Sequence, residues 1–176
     1  MKASAGAVVS LVAAALAMGC GSDSGSPPEV KDNGTCMFSG AVTGTHTCTV
    51  AGAFTLGEQV GVIEITYNLA GPDGGVTGDT LYGTIVFPSA PAPGTYTGSS
   101  PQVLAPTTVE LNDDASGNGW WFTTALGDFT LVLSSVTKIG TDPDIGDVYR
   151  PSGTLDATLV PITSSTGGNV TLHATF

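Results

Sequence analysis

The sequence is poor in cations. It carries four Lys and Arg against fifteen Asp and Glu, a formal net charge of -11. A nucleic-acid binder needs a basic surface to neutralise phosphates, so nucleic acid is excluded as a partner. Close electrostatic contact with anionic lipid headgroups is disfavoured on the same ground. Histidine is nearly as scarce. His46 and His173 are the only two, so few groups can act as a base near neutral pH. No Gly-x-Ser-x-Gly elbow, His-Glu-x-x-His pair or phosphate-cradling glycine loop occurs. Carboxylates are numerous, but the sequence does not pair them across a cleft. The expectation is a protein that is not an enzyme, with a hydrolase as the distant alternative. The apolar stretch at the start, residues 3–18, is about 16 residues long, short of the roughly 20 that a membrane-spanning helix requires. No basic stop-transfer cluster follows it.

What is present at the start is an address. Met1-Lys2 supplies one positive charge, and residues 3–18 are all Ala, Val, Leu, Ser, Gly and Met. That is the charged start and apolar core of a secretory signal. Its end, Leu16-Ala17-Met18-Gly19-Cys20, resembles the lipobox of bacterial lipoproteins. Gly19 and Cys20 match that motif; Leu16 stands one place before the usual Leu, with Ala17 in its position. The resemblance covers the first 20 residues only. It implies cleavage after residue 19, lipid attachment at Cys20, and a membrane partner reached through the lipid. Several acyl chains together hold a protein firmly where one holds it weakly. Gly21, rather than Asp, follows the cysteine, which implies a bacterial envelope lipoprotein of the outer membrane.

Residues 20–34 are rich in Gly, Ser and Pro and read as a flexible tether. Removing 19 of the 176 residues leaves 157, and the loss of Lys2 takes the formal charge to -12. Residues 35–176 are enough for one domain. Hydrophobic residues make up 41% of the chain and come in strand-like patterns, so a core can form and disorder is excluded for most of it.

Turn signals recur at short intervals and no helical period persists. Cys48, Val50, Phe54 and Leu56 share one parity, and Cys36, Phe38 and Val42 share one on the partner strand, as in a hairpin turning near Thr43-Gly44. Ile63, Ile65, Tyr67 and Leu69 alternate with Val62, Glu64, Thr66 and Asn68, the pattern of a half-buried antiparallel strand. Gly71-Pro72-Asp73-Gly74-Gly75 is a turn, and Leu81, Ile85 and Phe87 mark the return strand. A Pro-rich stretch, residues 88–102, holds at most a short strand at 95–97. Residues 107–111, 120–124, 128–136, 153–160 and 170–176 complete the set, with a long loop expected at 140–146. Eight or nine short strands at this spacing predict an all-β fold, a single antiparallel β-sandwich, with a β-barrel as the alternative.

Three groups of residues invite a chemical reading. Cys36 and Cys48 fall on one face of the hairpin, and an exported protein keeps its disulfides, so the two are expected to be bridged. Asp142, Asp144 and Asp147 with Gly146 partly match a calcium loop, which needs several oxygens and a glycine that lets the chain turn. Calcium is the one cofactor for which the sequence offers a site, and the twelve-residue EF-hand pattern is not completed. Trp120 and Trp121 are adjacent on a strand and so face opposite ways. One is expected in the core and the other outward, where it could stack against a sugar or a protein. Two functions follow. The first is a lipid-anchored, non-catalytic envelope protein that binds or scaffolds, with a protein or glycan partner. The alternative is a calcium-dependent carbohydrate-binding module.

Overall fold

The computed structural model describes residues 29–55, 59–70, 76–113, 119–122, 128–161 and 168–176. Cys20 and the turn at 71–75 lie outside these residues. The described chain is all β, with no helix. Ten strands follow in order: β1 Gly34–Gly40, β2 Gly44–Thr55, β3 Val60–Ala70, β4 Val76–Phe87, β5 Gly94–Thr97, β6 Leu104–Asp113, β7 Gly119–Phe122, β8 Phe129–Asp142, β9 Gly146–Pro161 and β10 Val170–Thr175. Val, Ile, Thr and aromatics dominate them, the side chains that fit a pleated surface. Pro88, Pro91 and Pro93 fall between β4 and β5, where no ladder hydrogen bond is required of them.

Every pairing is antiparallel. The strands form one sheet in the order β10-β1-β2-β3-β4-β6-β7-β9-β8-β5. Two further pairings, β10 with β9 and β2 with β9, close it on itself. Strands β9, β10, β1 and β2 thereby form a small barrel, with the other strands outside it. A closed sheet whose walls pack across one core is compatible with both the sandwich and the barrel expected from the sequence.

The long strand β9 organises this closure. One edge pairs with β8 and then, at Val160 and Pro161, with β7. The other edge pairs with β2 through Asp147, Val148 and Tyr149, then with β10 from Thr154 to Leu159. Pro151 falls between these two partners, where its missing N–H breaks no ladder.

The inward positions follow the period of two. Cys36, Phe38, Ile63, Ile65, Leu81, Ile85, Leu131, Leu133, Leu155, Leu159 and Leu172 are all buried in one cluster. Burying a side chain of this size stabilises the fold by about 1.5–3 kcal/mol. Cys36 and Cys48 are bridged, with Cα atoms 6.0 Å apart. Cys36 lies opposite His46 and Cys48 opposite Gly34, so the bridge runs diagonally between β1 and β2. A Cβ on Gly34 would sit 3.1 Å from the Cys48 sulfur, and glycine leaves the room the bridge uses.

Two expectations are corrected. Residues 140–146 are not a long loop: β8 continues to Asp142 and β9 begins at Gly146, so a tight turn joins them. The second face of β3 is not solvated throughout, because Val62 and Glu64 are buried, as Ile63 and Ile65 are. Alternation along one strand does not register what covers a face from elsewhere in the chain.

Candidate functional site

The outer face of β5, β8, β9, β10, β1 and β2 carries an ordered set of hydroxyls. In one row Thr95, Val132, Thr154, Thr175, Thr35 and Thr47 lie opposite one another in turn across the six strands. The next row runs Thr97, Thr130, Asp156, His173, Met37 and Thr45. A shorter one holds Thr158, Thr171 and Ser39. Ten of these fifteen positions are Thr and none is Lys or Arg. Asp156 is paired with His173, Nδ1 to Oδ1 2.5 Å. The sequence signal for this face was the recurrence of Thr at every second position, as in Thr45-His46-Thr47-Cys48-Thr49.

One end of the face dips into an open depression of about 510 Å³, lined by Asp32, Asn33, Gly34, Thr35, Thr47, Thr175 and Phe176. Its rim is fixed by local hydrogen bonds. The Asn33 side chain donates to the Val50 carbonyl at 2.8 Å and accepts from the Val50 N–H at 2.7 Å, extending the β1–β2 ladder beyond the strand. The Asp32 N–H donates to Thr49 Oγ1 at 3.1 Å. Asp32 has φ 48°, a conformation that Asp tolerates better than most residues. Phe176 is tied to Gly153 by backbone bonds in both directions, 2.6 and 3.0 Å. The Asp32 carboxylate and the hydroxyls of Thr35, Thr47 and Thr175 make no hydrogen bond to another described residue.

The acidic turn is held together by its own side chains. Asp142 is buried, and its Oδ1 accepts the N–H groups of Asp144 at 2.7 Å and Ile145 at 3.0 Å. Its carboxylate thus closes the turn as a backbone acceptor. Asp147 accepts from Thr141 Oγ1 at 2.8 Å and pairs with Lys138 at 2.6 Å. The hydrogen bond from Lys138, then that from Thr141, holds its carboxyl below the usual range. Asp142, Asp144 and Asp147 do not converge: among the described residues no three His, Cys, Asp or Glu side chains gather as a metal would need.

Trp120 and Trp121 lie on β7, opposite Asn112 and Leu111 of β6, and Trp121 also lies opposite Pro161 of β9. Their side chains, like Cys20, fall outside what is described. His46 stands in an aromatic group with Phe38 and Tyr67, ring centroids 5.8 and 4.3 Å away.

Sequence reasoning missed Glu64. It lies mid-strand on β3 between Ala51 of β2 and Thr84 of β4, and is only 4% exposed. The Tyr82 hydroxyl donates to its Oε1 at 3.4 Å. Burial pushes the carboxyl up to about 7, while the hydrogen bond from Tyr82 acts the other way. Glu110 lies opposite Tyr82 on β6. No signal in the alternation of β3 separates this carboxylate from a solvated one.

Comparison with known proteins finds no family model, no curated protein and no solved structure that matches this chain.

Proposed function

We propose that the protein is a lipid-anchored, non-catalytic component of the bacterial cell envelope, whose β domain binds a partner at the end of a tether. The observation that carries this reading is the buried Cys36–Cys48 bridge. Such a bond persists outside the reducing cytoplasm, and here it follows a leader that ends in a lipobox-like Leu16 to Cys20. The scarcity of groups able to act as a base, two histidines in the whole sequence, favours a binding role over a catalytic one. His46 stands among Phe38 and Tyr67, and His173 is held by Asp156 on an open sheet face. Cys20 is the attachment point in this reading, and the outer membrane is its destination.

The test is fractionation of cells expressing the wild type and Cys20→Ala. The wild type is expected in the detergent phase and the variant in the aqueous phase. A variant that still partitions into detergent overturns the anchor. Metabolic labelling with a fatty acid should mark the wild type alone.

A further inference from the structure

We propose that the depression beside Asp32 is a binding subsite for an uncharged sugar residue of a polysaccharide, and that it works without calcium. The inference rests on the reading of the domain as an envelope binding module and adds the chemistry of its ligand. A depression of about 510 Å³ lies within the range of roughly 300–1,000 Å³ typical of small-ligand sites. Its free polar groups match those of a sugar. Thr35, Thr47 and Thr175 present hydroxyls that both donate and accept. The Asp32 carboxylate accepts strong, charge-assisted hydrogen bonds from hydroxyl donors. Phe176, partly buried against the core, supplies an apolar wall for the C–H groups of a ring.

Charge narrows the ligand further. No Lys or Arg lines the depression and Asp32 does, so a phosphate or carboxylate would meet like charge with no cation to offset it. Asp32 is the one acidic side chain of the lining, and calcium takes six to eight oxygens, with carboxylates prominent among them. Three of the lining residues, Thr35, Thr47 and Thr175, belong to the first row of the hydroxyl face. That row continues through Thr154, Val132 and Thr95 across six strands. At about 4.8 Å per strand it spans roughly 24 Å, room for an extended chain of several sugars. β-Branched Thr is already restricted at χ1, so little side-chain freedom is lost when a ligand binds.

The experiment is retention of the full-length protein, in detergent, on insoluble cellulose, chitin and starch. Retention on at least one of them is expected, unchanged by EDTA and by raised salt. Asp32→Asn, which tolerates the same backbone conformation, and Thr35→Lys are each expected to weaken retention about tenfold, a loss equivalent to about 1.4 kcal/mol. Thr137→Ala, elsewhere on β8, should leave it unchanged. Three results overturn the proposal: no retention of folded wild type on any of the three, retention indifferent to both Asp32→Asn and Thr35→Lys, or retention abolished by EDTA or by salt. A concentration-dependent dimer dispersed by Thr35→Lys would assign the face to a second copy and also overturn it. Cys20→Ala should be retained like the wild type, so failure of the anchor and failure of the sugar site are separable.

Discussion

Replacing Glu64 with Gln should stabilise the protein, and by an amount that grows with pH. In the folded state the Glu64 carboxyl titrates at about 7, against an ordinary value of 4.5. Between these two values the folded state holds a proton that the unfolded chain has released. Stability therefore falls as pH rises through this window, and the whole penalty is in place above pH 7. A displacement of 2.5 units at 1.36 kcal/mol per unit sets the penalty at about 3 kcal/mol. Gln keeps a hydrogen-bonding oxygen for Tyr82 and never ionises. The variant should match the wild type near pH 4 and exceed it by up to about 3 kcal/mol at pH 8, a rise in Tm of roughly 6–12 °C. Urea unfolding of both proteins at a series of pH values, with the disulfide kept oxidised, measures the difference directly. The other carboxylates contribute equally to both proteins and cancel in it. A difference independent of pH, or a variant less stable than the wild type at pH 8, would show that Glu64 is solvated or paired and refute the reasoning.

The remaining expectations concern the bridge, the acidic turn and its glycine. Converting both Cys36 and Cys48 to Ala opens a loop of about 13 residues and should cost roughly 3 kcal/mol in urea unfolding; without reductant, the wild type should resist alkylation at both sites. Asp142→Ala removes the acceptor for two turn N–H groups and should cost about 1–3 kcal/mol, detected as a lower Tm. Thermal melts in EDTA, magnesium and calcium should coincide, because Asp142 and Asp147 are already engaged by Asp144, Ile145, Thr141 and Lys138; a rise specific to calcium would contradict that. Gly146→Ala should destabilise by more than about 1 kcal/mol, since Gly146 has φ 107° and an added Cβ would meet the Phe54 carbonyl oxygen at 2.3 Å.

Strands whose inward face alternates cleanly were legible. Phe129, Leu131 and Leu133 of β8, Leu155, Ala157 and Leu159 of β9, and Val170, Leu172 and Ala174 of β10 all lie in the core as their spacing implies. The short strand Gly94–Thr97 inside a Pro-rich stretch was legible too, because two Thr flank an aromatic there. The cysteine pair could be read from parity across a hairpin. The full length of β9 could not, since its first half pairs with β2, about a hundred residues earlier in the chain. Glu64 escaped because burial of the second face of β3 is a property of its neighbours, not of β3 itself. The depression escaped for a related reason: Asp32, Thr47 and Thr175 come from three separate stretches and meet only when β1 is paired on both edges.

The double pairing of β1 also sets when the domain can fold. Thr35 lies opposite Thr175, 140 positions later in the chain. The barrel formed with β9 and β10 therefore cannot close until the last strand is available. Contacts of such long sequence separation make folding slow relative to local structure. A chain still lacking β10 can form only more local pairings, the β1–β2 and β3–β4 hairpins among them. The Cys36–Cys48 bond lies within the first of these hairpins, so it can form before β10 pairs with β1 and covers that edge.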